Sequence, residues 1–377
     1  MRQNILAWFG TDFDTEKLVK RLMEIEITEA LNRSDLLFID VRSPDEYAEA
    51  SIPGAVNIPL FGNQEHHQLG IIYHQLGEYE ARQAALVMVA PKLPALVNQI
   101  TSACGEKKPL LYCRRGGLRS LSLYQILTLS GIRALRLKHG YKAFRSYVNE
   151  HLGNYCLKGK LLILQGLTGV GKTAVLEELE HRCIPIIDLE GLAGHRGSVF
   201  GGIGFAGQRS QKDFDALLLQ QLEKHSNEPY LVVEGEGRRI GNVYLPLFLS
   251  EAMEKGHRLL LTASIETRVE RIVTTYTPAA MTAEEFGELK DALDSLRRRM
   301  GNQKVDLLID MLEQGEYSAV AKLLCTDYYD LFYSDSRPEC SQFDAVIDAS
   351  DLESAAQQII ELINLLNLAP TQAAPQQ

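Results

Sequence analysis

The chain has 377 residues, 45% of them hydrophobic and 23% charged; that is more than one hydrophobic core usually serves, so two domains are expected. A formal net charge of -10 excludes indiscriminate nucleic-acid binding over the whole surface, because phosphate contacts need lysine and arginine. No apolar run approaches the eighteen or so residues of a membrane span, and the N-terminus turns acidic before any signal-like segment develops, so no membrane partner is expected and the cytoplasm is the default.

In chain order, residues 1–24 read as an N-terminal extension. LLFIDV (Leu36 to Val41) and AVNIPL (Ala55 to Leu60) read as short strands bounded by RSPDEY and the SIPG turn. The adjacent His66 and His67 lack partners at metal-ligand spacing and are read as loop. A helical stretch is expected around Glu78 to Ile100. PLLYC then forms an apolar strand ending at Cys113, LRSLSLYQILTLSG a helix stopped at Gly131, and ALRLKHG another strand.

Cys113 opens the loop CRRGGLRS, in which Gly116 and Gly117 permit unusual backbone angles and Arg114, Arg115 and Arg119 supply positive charge. A strand-to-helix turn lies at the carboxyl edge of a sheet, and the following helix aims free N–H groups and its dipole at the sulfur. Both effects favour thiolate over thiol. The six cysteines (Cys104, Cys113, Cys156, Cys183, Cys325, Cys340) contain no C-x-x-C pair, which suits a reducing compartment. From Lys107 to Asn149 there is no Asp or Glu, while Lys107, Lys108, Arg114, Arg115, Arg119, Arg133, Arg136, Lys138, Lys142 and Arg145 all fall there. Such a stretch is either a basic face balanced by acidic neighbours in three dimensions or a docking surface for a polyanion beside the thiol.

A linker is expected over 153–160, followed by the strand KLLILQG and the P-loop GLTGVGKT. Here Gly166, Gly169 and Gly171 shape the turn, backbone N–H groups cradle phosphate oxygens, Lys172 offsets their charge and the Thr173 hydroxyl can help hold magnesium. PIIDLEG, YLVVEGE, RLLLTAS and DAVIDAS alternate with helical stretches, which implies a parallel sheet. Glu234, after LVV, is the candidate magnesium acid at a neighbouring strand end. The long Gly-rich segment from Gly191 to Gly204 offers His195 and Arg196 as pocket residues, and Glu236, Arg238, Arg239 and Gly241 a second ionic rim. Arg268 and Arg271 read either as lid arginines like those of nucleotide kinases or as exposed helix residues, and Arg297 to Arg299 as a solvated helix face. The tail 367–377 reads as disordered.

The fold class is therefore α/β, with two units at 25–152 and 161–366. The first resembles the rhodanese homology domain through Asp40 and Arg42, the Ile52 to Ala55 turn, and the Cys113 loop. It departs at Ser51, where histidine is frequent, and in a loop one residue longer than common, a length that would admit a tetrahedral, phosphate-sized ligand. The second resembles P-loop NTPases with a mostly parallel sheet. In sequence, CRRGGLRS, GLTGVGKT, LEGLAGHRGSVFG and VEGEGRRIG are similar to the bacterial tRNA 2-selenouridine synthases over roughly Ile25 to Leu366. The resemblance implies a transferase that replaces sulfur by selenium in 2-thiouridine at the tRNA wobble position, with selenophosphate and geranyl diphosphate as co-substrates and an S-geranyl intermediate. It implies catalysis by Cys113, diphosphate binding by the P-loop, the anticodon arm of tRNA as partner on the basic stretch, and a selenophosphate-producing enzyme as a further partner. Gly235 and Gly237 stand where the family more usually has a serine-containing segment. The alternatives are a rhodanese-type sulfurtransferase fused to an NTP-dependent kinase, and a non-catalytic nucleotide-sensing tRNA-binding module.

Overall fold

The computed structural model describes residues 23–205, 207–277, 282–332 and 343–366. Cys340, the tail and all but the last two residues of the N-terminal extension lie outside them. The chain divides into two compact units, Met1–His151 and Leu152–Gln377. Each unit builds a five-stranded sheet whose strands all run parallel, and each places one anion loop after the central strand.

In the first unit the strands are β1 (Glu24–Ile25), β2 (Leu36–Asp40), β3 (Val56–Asn57), β4 (Lys108–Tyr112) and β5 (Leu135–Leu137), in the order β1-β5-β4-β2-β3. Glu24 thus pairs in the sheet, one residue before the expected start of this unit. Strand β4 has Pro109 to Tyr112 buried, as a central parallel strand covered on both faces requires. The helices are α1 (Ile27–Leu31), α2 (Pro44–Glu49), α3 (Asn63–Leu76), α4 (Glu78–Val89), α5 (Leu93–Cys104), α6 (Leu118–Leu129) and α7 (Gly140–Gly153).

Two expectations change here. His66 and His67 lie within α3, which starts at a Gly62–Glu65 capping arrangement, with Gly62 N donating to the Glu65 carboxylate at 2.9 Å. A continuous helical run, Glu78–Cys104, is also long and apolar enough by length and composition to cross a membrane, although no single apolar stretch of the sequence is that long. The run contains Pro91 and Pro94 at a short 3-10 turn, and Leu96, Ile100 and Cys104 insert its second half into the core beside Ile39, Leu111 and Leu123.

In the second unit β6 (Lys160–Gln165), β7 (Ile186–Ile187), β8 (Tyr230–Glu234), β11 (His257–Thr262) and β12 (Ala345–Asp348) form the order β12-β11-β6-β8-β7, and β9 (Arg239–Ile240) and β10 (Val243–Tyr244) make a separate antiparallel hairpin. Its helices continue as α8 (Lys172–His181), α9 (Leu189–Ala193), α10 (Gln211–Lys224), α11 (Leu247–Lys255), α12 (Ile265–Tyr276), α13 (Ala283–Asp294), α14 (Arg297–Met300), α15 (Asn302–Glu313), α16 (Tyr317–Leu324), α17 (Asp330–Phe332) and α18 (Leu352–Leu365). One core lies around β6, with Leu162, Leu164, Val175, Leu261 and Ile359 at 1% exposure or less. A second apolar cluster joins α13, α15 and α16 through Leu293, Val305, Leu308 and Leu324, and reaches Phe200 of the Gly-rich segment. Full burial of each such side chain stabilises by about 1.5–3 kcal/mol before the entropy of ordering is counted.

Candidate active sites

The Cys113 loop rests on a buried knot. Arg42 Nε donates to both carboxylate oxygens of Asp40 at 3.0 Å, its Nη2 donates to the Ala50 carbonyl at 2.7 Å, and its guanidinium stacks 4.2 Å from the Tyr141 ring centre. Asp40 and Arg42 are 0% and 4% exposed. The Asp-x-Arg signature is therefore a structural tie between β2 and the start of α7.

Above this knot the loop turns carbonyls outward. Tyr141 N donates to the Cys113 carbonyl at 2.9 Å and Lys142 N to the Arg114 carbonyl at 3.0 Å, so the first turn of α7 satisfies two loop acceptors. This close approach requires Gly140, whose φ is +58° and where an added Cβ would stand 2.1 Å from the Cys113 carbonyl oxygen. Gly117 N points inward and donates to Cys113 Sγ at 3.2 Å, while Ser120 Oγ lies 3.3 Å from the sulfur. Cys113 is 3% exposed and belongs to the buried apolar cluster of the unit, while its sulfur meets the Gly117 N–H and the Ser120 hydroxyl at the start of α6.

The arginines of this loop divide. Arg114 and Arg115 are exposed and have no side-chain partner among the described residues. Arg119 instead pairs with Glu46 of α2. Burial pushes the Glu46 carboxyl up, but the hydrogen bond and charge of Arg119 outweigh that and hold it at about 2. Elsewhere in the basic stretch Lys108 meets Asp35, Arg136 meets Glu24 and Lys138 meets Glu26, so part of it is balanced by acidic residues that precede β3.

In the second unit the P-loop joins β6 to α8. Gly166 has φ +158°, and a Cβ there would stand 2.7 Å from the Leu261 carbonyl oxygen of β11. Two arginines of α12 hold the loop from behind. Arg268 Nε donates to the Thr168 carbonyl at 2.8 Å and pairs bidentately with Asp330, and Arg271 Nη1 donates to the Val170 carbonyl at 2.6 Å. Neither is a free surface residue; their guanidinium groups fasten the loop backbone, and Arg271 also lines the cavity over it.

Two acidic side chains meet this loop. Lys172 Nζ is 3.7 Å from Glu236 Oε1, and Thr173 Oγ1 donates to Glu190 Oε2 at 3.3 Å. Burial first, then the charge of Glu236, push the Glu190 carboxyl up to about 7 against the opposing effect of Lys172. Glu234, the expected magnesium acid, is 0% exposed; it accepts from Leu189 N at 2.8 Å, and burial drives its carboxyl well up. Glu190 is the residue beside the Thr173 hydroxyl, and nothing in its helical context marked it in the sequence. Hard oxygen donors from Thr173 and Glu190 fit magnesium, which takes few protein ligands and keeps phosphate oxygens.

The remaining pocket candidates scatter. His195 wedges between Gly201 and Gly241, accepts from Gly197 N at Nδ1, and burial lowers its pKa. Arg196 lines the P-loop cavity, with its guanidinium 4.6 Å from the Phe205 ring centre and 5.5 Å from that of Tyr276. Arg238 lines a different groove with Gln165 and Arg258, and the exposed Arg239 donates to the Gly241 carbonyl. Of the Arg297 to Arg299 run, Arg297 pairs with Asp294 and Asp306, and Arg299 donates to Tyr328 Oη at 2.7 Å.

A cavity of about 530 Å³ opens over the P-loop. Sharing Thr168, Ile272 and Tyr276 with it is a narrow apolar slot of about 50 Å³, lined also by Phe200, Leu289 and Leu293.

Residues 25–147 match the rhodanese-like domain, and residues 159–359 match the tRNA 2-selenouridine synthase AAA domain. This second match spans more than half of the chain. The chain belongs to the tRNA 2-selenouridine synthase family. Among curated members, the tRNA 2-selenouridine synthase of Cupriavidus pinatubonensis is 36% identical over 78% of this chain and 87% of its own. That of Cupriavidus necator is 33% identical over 81% and 89%, and that of Pseudomonas putida 32% identical over 88% and 96%.

Proposed function

We propose that this chain is a tRNA-modifying transferase that installs selenium in 2-thiouridine at the wobble position, as its family membership indicates, and that its two loops divide the chemistry. Geranyl diphosphate is the ligand of the second unit, selenophosphate that of the first, and the anticodon arm of tRNA is the shared substrate.

The observation that carries this division is the apolar slot beside the P-loop. A nucleotide-binding P-loop site has to accommodate a base with hydrogen-bonding edges, whereas this slot offers Phe200, Ile272, Leu289 and Leu293 next to the phosphate cradle. Prenyl chains gain about 0.8 kcal/mol for each methylene removed from water. The slot is narrower than a geranyl chain, so rotation of lining side chains accompanies entry.

In the prenyl step the thiouridine sulfur attacks the carbon bearing the diphosphate, the carbon–oxygen bond breaks, and the leaving diphosphate keeps the electron pair. The loop N–H groups and Lys172 offset that developing charge. Bound magnesium would add charge neutralisation, held by Thr173 and Glu190. Geranylation makes the sulfur a better leaving group. At the first loop the Cys113 thiolate, its anion stabilised by Gly117 N and the start of α6, attacks the selenophosphate phosphorus, with Arg114 and Arg115 attracting the selenium donor. The phosphorus–selenium bond breaks and selenide leaves. Selenide then bonds to C2 of the base as the geranyl thiolate departs, and water releases phosphate from the cysteine. Arg119 acts on this loop through Glu46.

The reading is tested by nucleoside mass spectrometry of 2-thiouridine tRNA treated with purified protein, supplying the two donors separately. S-geranyl-2-thiouridine is expected with geranyl diphosphate alone, and 2-selenouridine only when selenophosphate follows. Sulfur release to cyanide without tRNA, or phosphoryl transfer from a nucleotide, would favour the fused sulfurtransferase–kinase instead.

A further inference from the structure

Arg136 lies on β5, is 5% exposed, and donates from Nη2 to the Gly116 carbonyl at 2.6 Å. Its side chain also meets the Glu24 carboxylate of β1 at 3.2 Å, across the strand pair in which Glu24 and Arg136 are register partners. The Gly116 carbonyl and the Gly117 N–H belong to one peptide unit, and no cis peptide occurs among the described residues. In a trans peptide the C=O and N–H point to opposite sides. Fixing the Gly116 oxygen towards Arg136 therefore fixes the Gly117 hydrogen towards Cys113 Sγ, where it is found at 3.2 Å. Gly116, at φ +66°, gives this peptide unit rotational freedom that a β-branched residue would deny it.

We propose that Arg136 is a positioning residue for Cys113, orienting and polarising the Gly116–Gly117 peptide so that its N–H stabilises the sulfur anion. The inference rests on Cys113 being the reactive group of the first unit. A cation on the carbonyl oxygen draws electron density along the peptide and strengthens the N–H as a donor. The P-loop uses the same device independently, because Arg268 and Arg271 hold the Thr168 and Val170 carbonyls. Other charges near the loop come from Arg114 and Arg115 on the loop itself, Arg119 with Glu46 from α6 and α2, the buried Asp40–Arg42 pair beneath it, and Glu24 from β1.

The test is the pH profile of iodoacetamide alkylation at Cys113, followed on the Cys113 peptide by mass spectrometry because Cys156 and Cys183 are exposed. In R136M the midpoint is expected to rise by about one pH unit and the rate at pH 7 to fall about tenfold. R136Q, which can still donate one neutral hydrogen bond, is expected to shift less, and it covers the case in which R136M does not fold. E24Q removes only the carboxylate charge facing Arg136 and is expected to lower the melting temperature while leaving the midpoint in place. Unchanged midpoints in R136M and R136Q, a Cys113 that does not react in the unaltered protein, or an E24Q shift equal to that of R136M would overturn the proposal. Failure of the selenium-transfer reading would look different, as normal alkylation profiles with no selenouridine formed.

Discussion

The loop after β4 and the loop after β6 both follow the central strand of a parallel sheet, and both have carbonyls held by arginines or helix N–H groups. They differ in what faces the ligand. The first presents a single sulfur among N–H donors, with its arginines exposed or already paired. The second presents Lys172 against Glu190 and Glu236, with an apolar slot alongside. On the proposed reading, similar scaffolding serves a nucleophile in one unit and a leaving group in the other.

The largest expected effect separates the two. Cys113→Ala should abolish 2-selenouridine, by at least about a thousandfold, while S-geranyl-2-thiouridine still forms. Lys172→Ala should lower prenyl transfer by about ten- to a hundredfold, read as the initial rate of S-geranyl-2-thiouridine formation. Equal loss of both products in both variants would break the division.

Next in size is the slot. Thr277→Phe, at its rim, should reduce prenyl transfer about tenfold by steric exclusion of the chain, while inorganic pyrophosphate inhibits with unchanged affinity. Loss of pyrophosphate affinity to the same degree would place the phosphate and the chain elsewhere.

Gly140→Ala probes the first loop from behind. The added Cβ meets the Cys113 carbonyl at 2.1 Å on a backbone of φ +58°, so a destabilisation beyond about 1 kcal/mol is expected in thermal unfolding.

The smallest effect is a pH dependence. The Glu190 carboxyl is raised from 4.5 to about 7, so the folded protein binds a proton there that the unfolded chain has released. Its contribution is fully present below about 4.5 and is lost as pH rises through about 7. Glu190→Gln should therefore be more stable than the unaltered protein at pH 8, by on the order of 1–3 kcal/mol, with the gap closing towards pH 5. Denaturant unfolding at both pH values reads this directly.

Much of the fold was legible because parallel strands buried on both faces leave apolar runs such as PLLY and KLLIL, and because each loop stands in the strand–loop–helix context its chemistry needs. The short edge strands β3 and β7 were read too long, since AVNIPL and PIIDLEG owe their apolar character to packing beyond the two residues that pair. The proposed sites were legible only in part. Cys113, Lys172 and Thr173 announce themselves by spacing. Arg136, Arg268 and Arg271 do not, because what they do depends on which backbone carbonyl they meet across the fold. Glu190 was missed for a similar reason: its chemistry comes from burial beside Glu236, and only the folded chain brings the two together.

The most direct measurement is the nucleoside composition of wobble uridines from 2-thiouridine tRNA treated with purified Cys113→Ala protein, geranyl diphosphate and selenophosphate together. Accumulation of S-geranyl-2-thiouridine with no 2-selenouridine is the predicted result. Selenouridine at the level made by the unaltered protein would contradict the account.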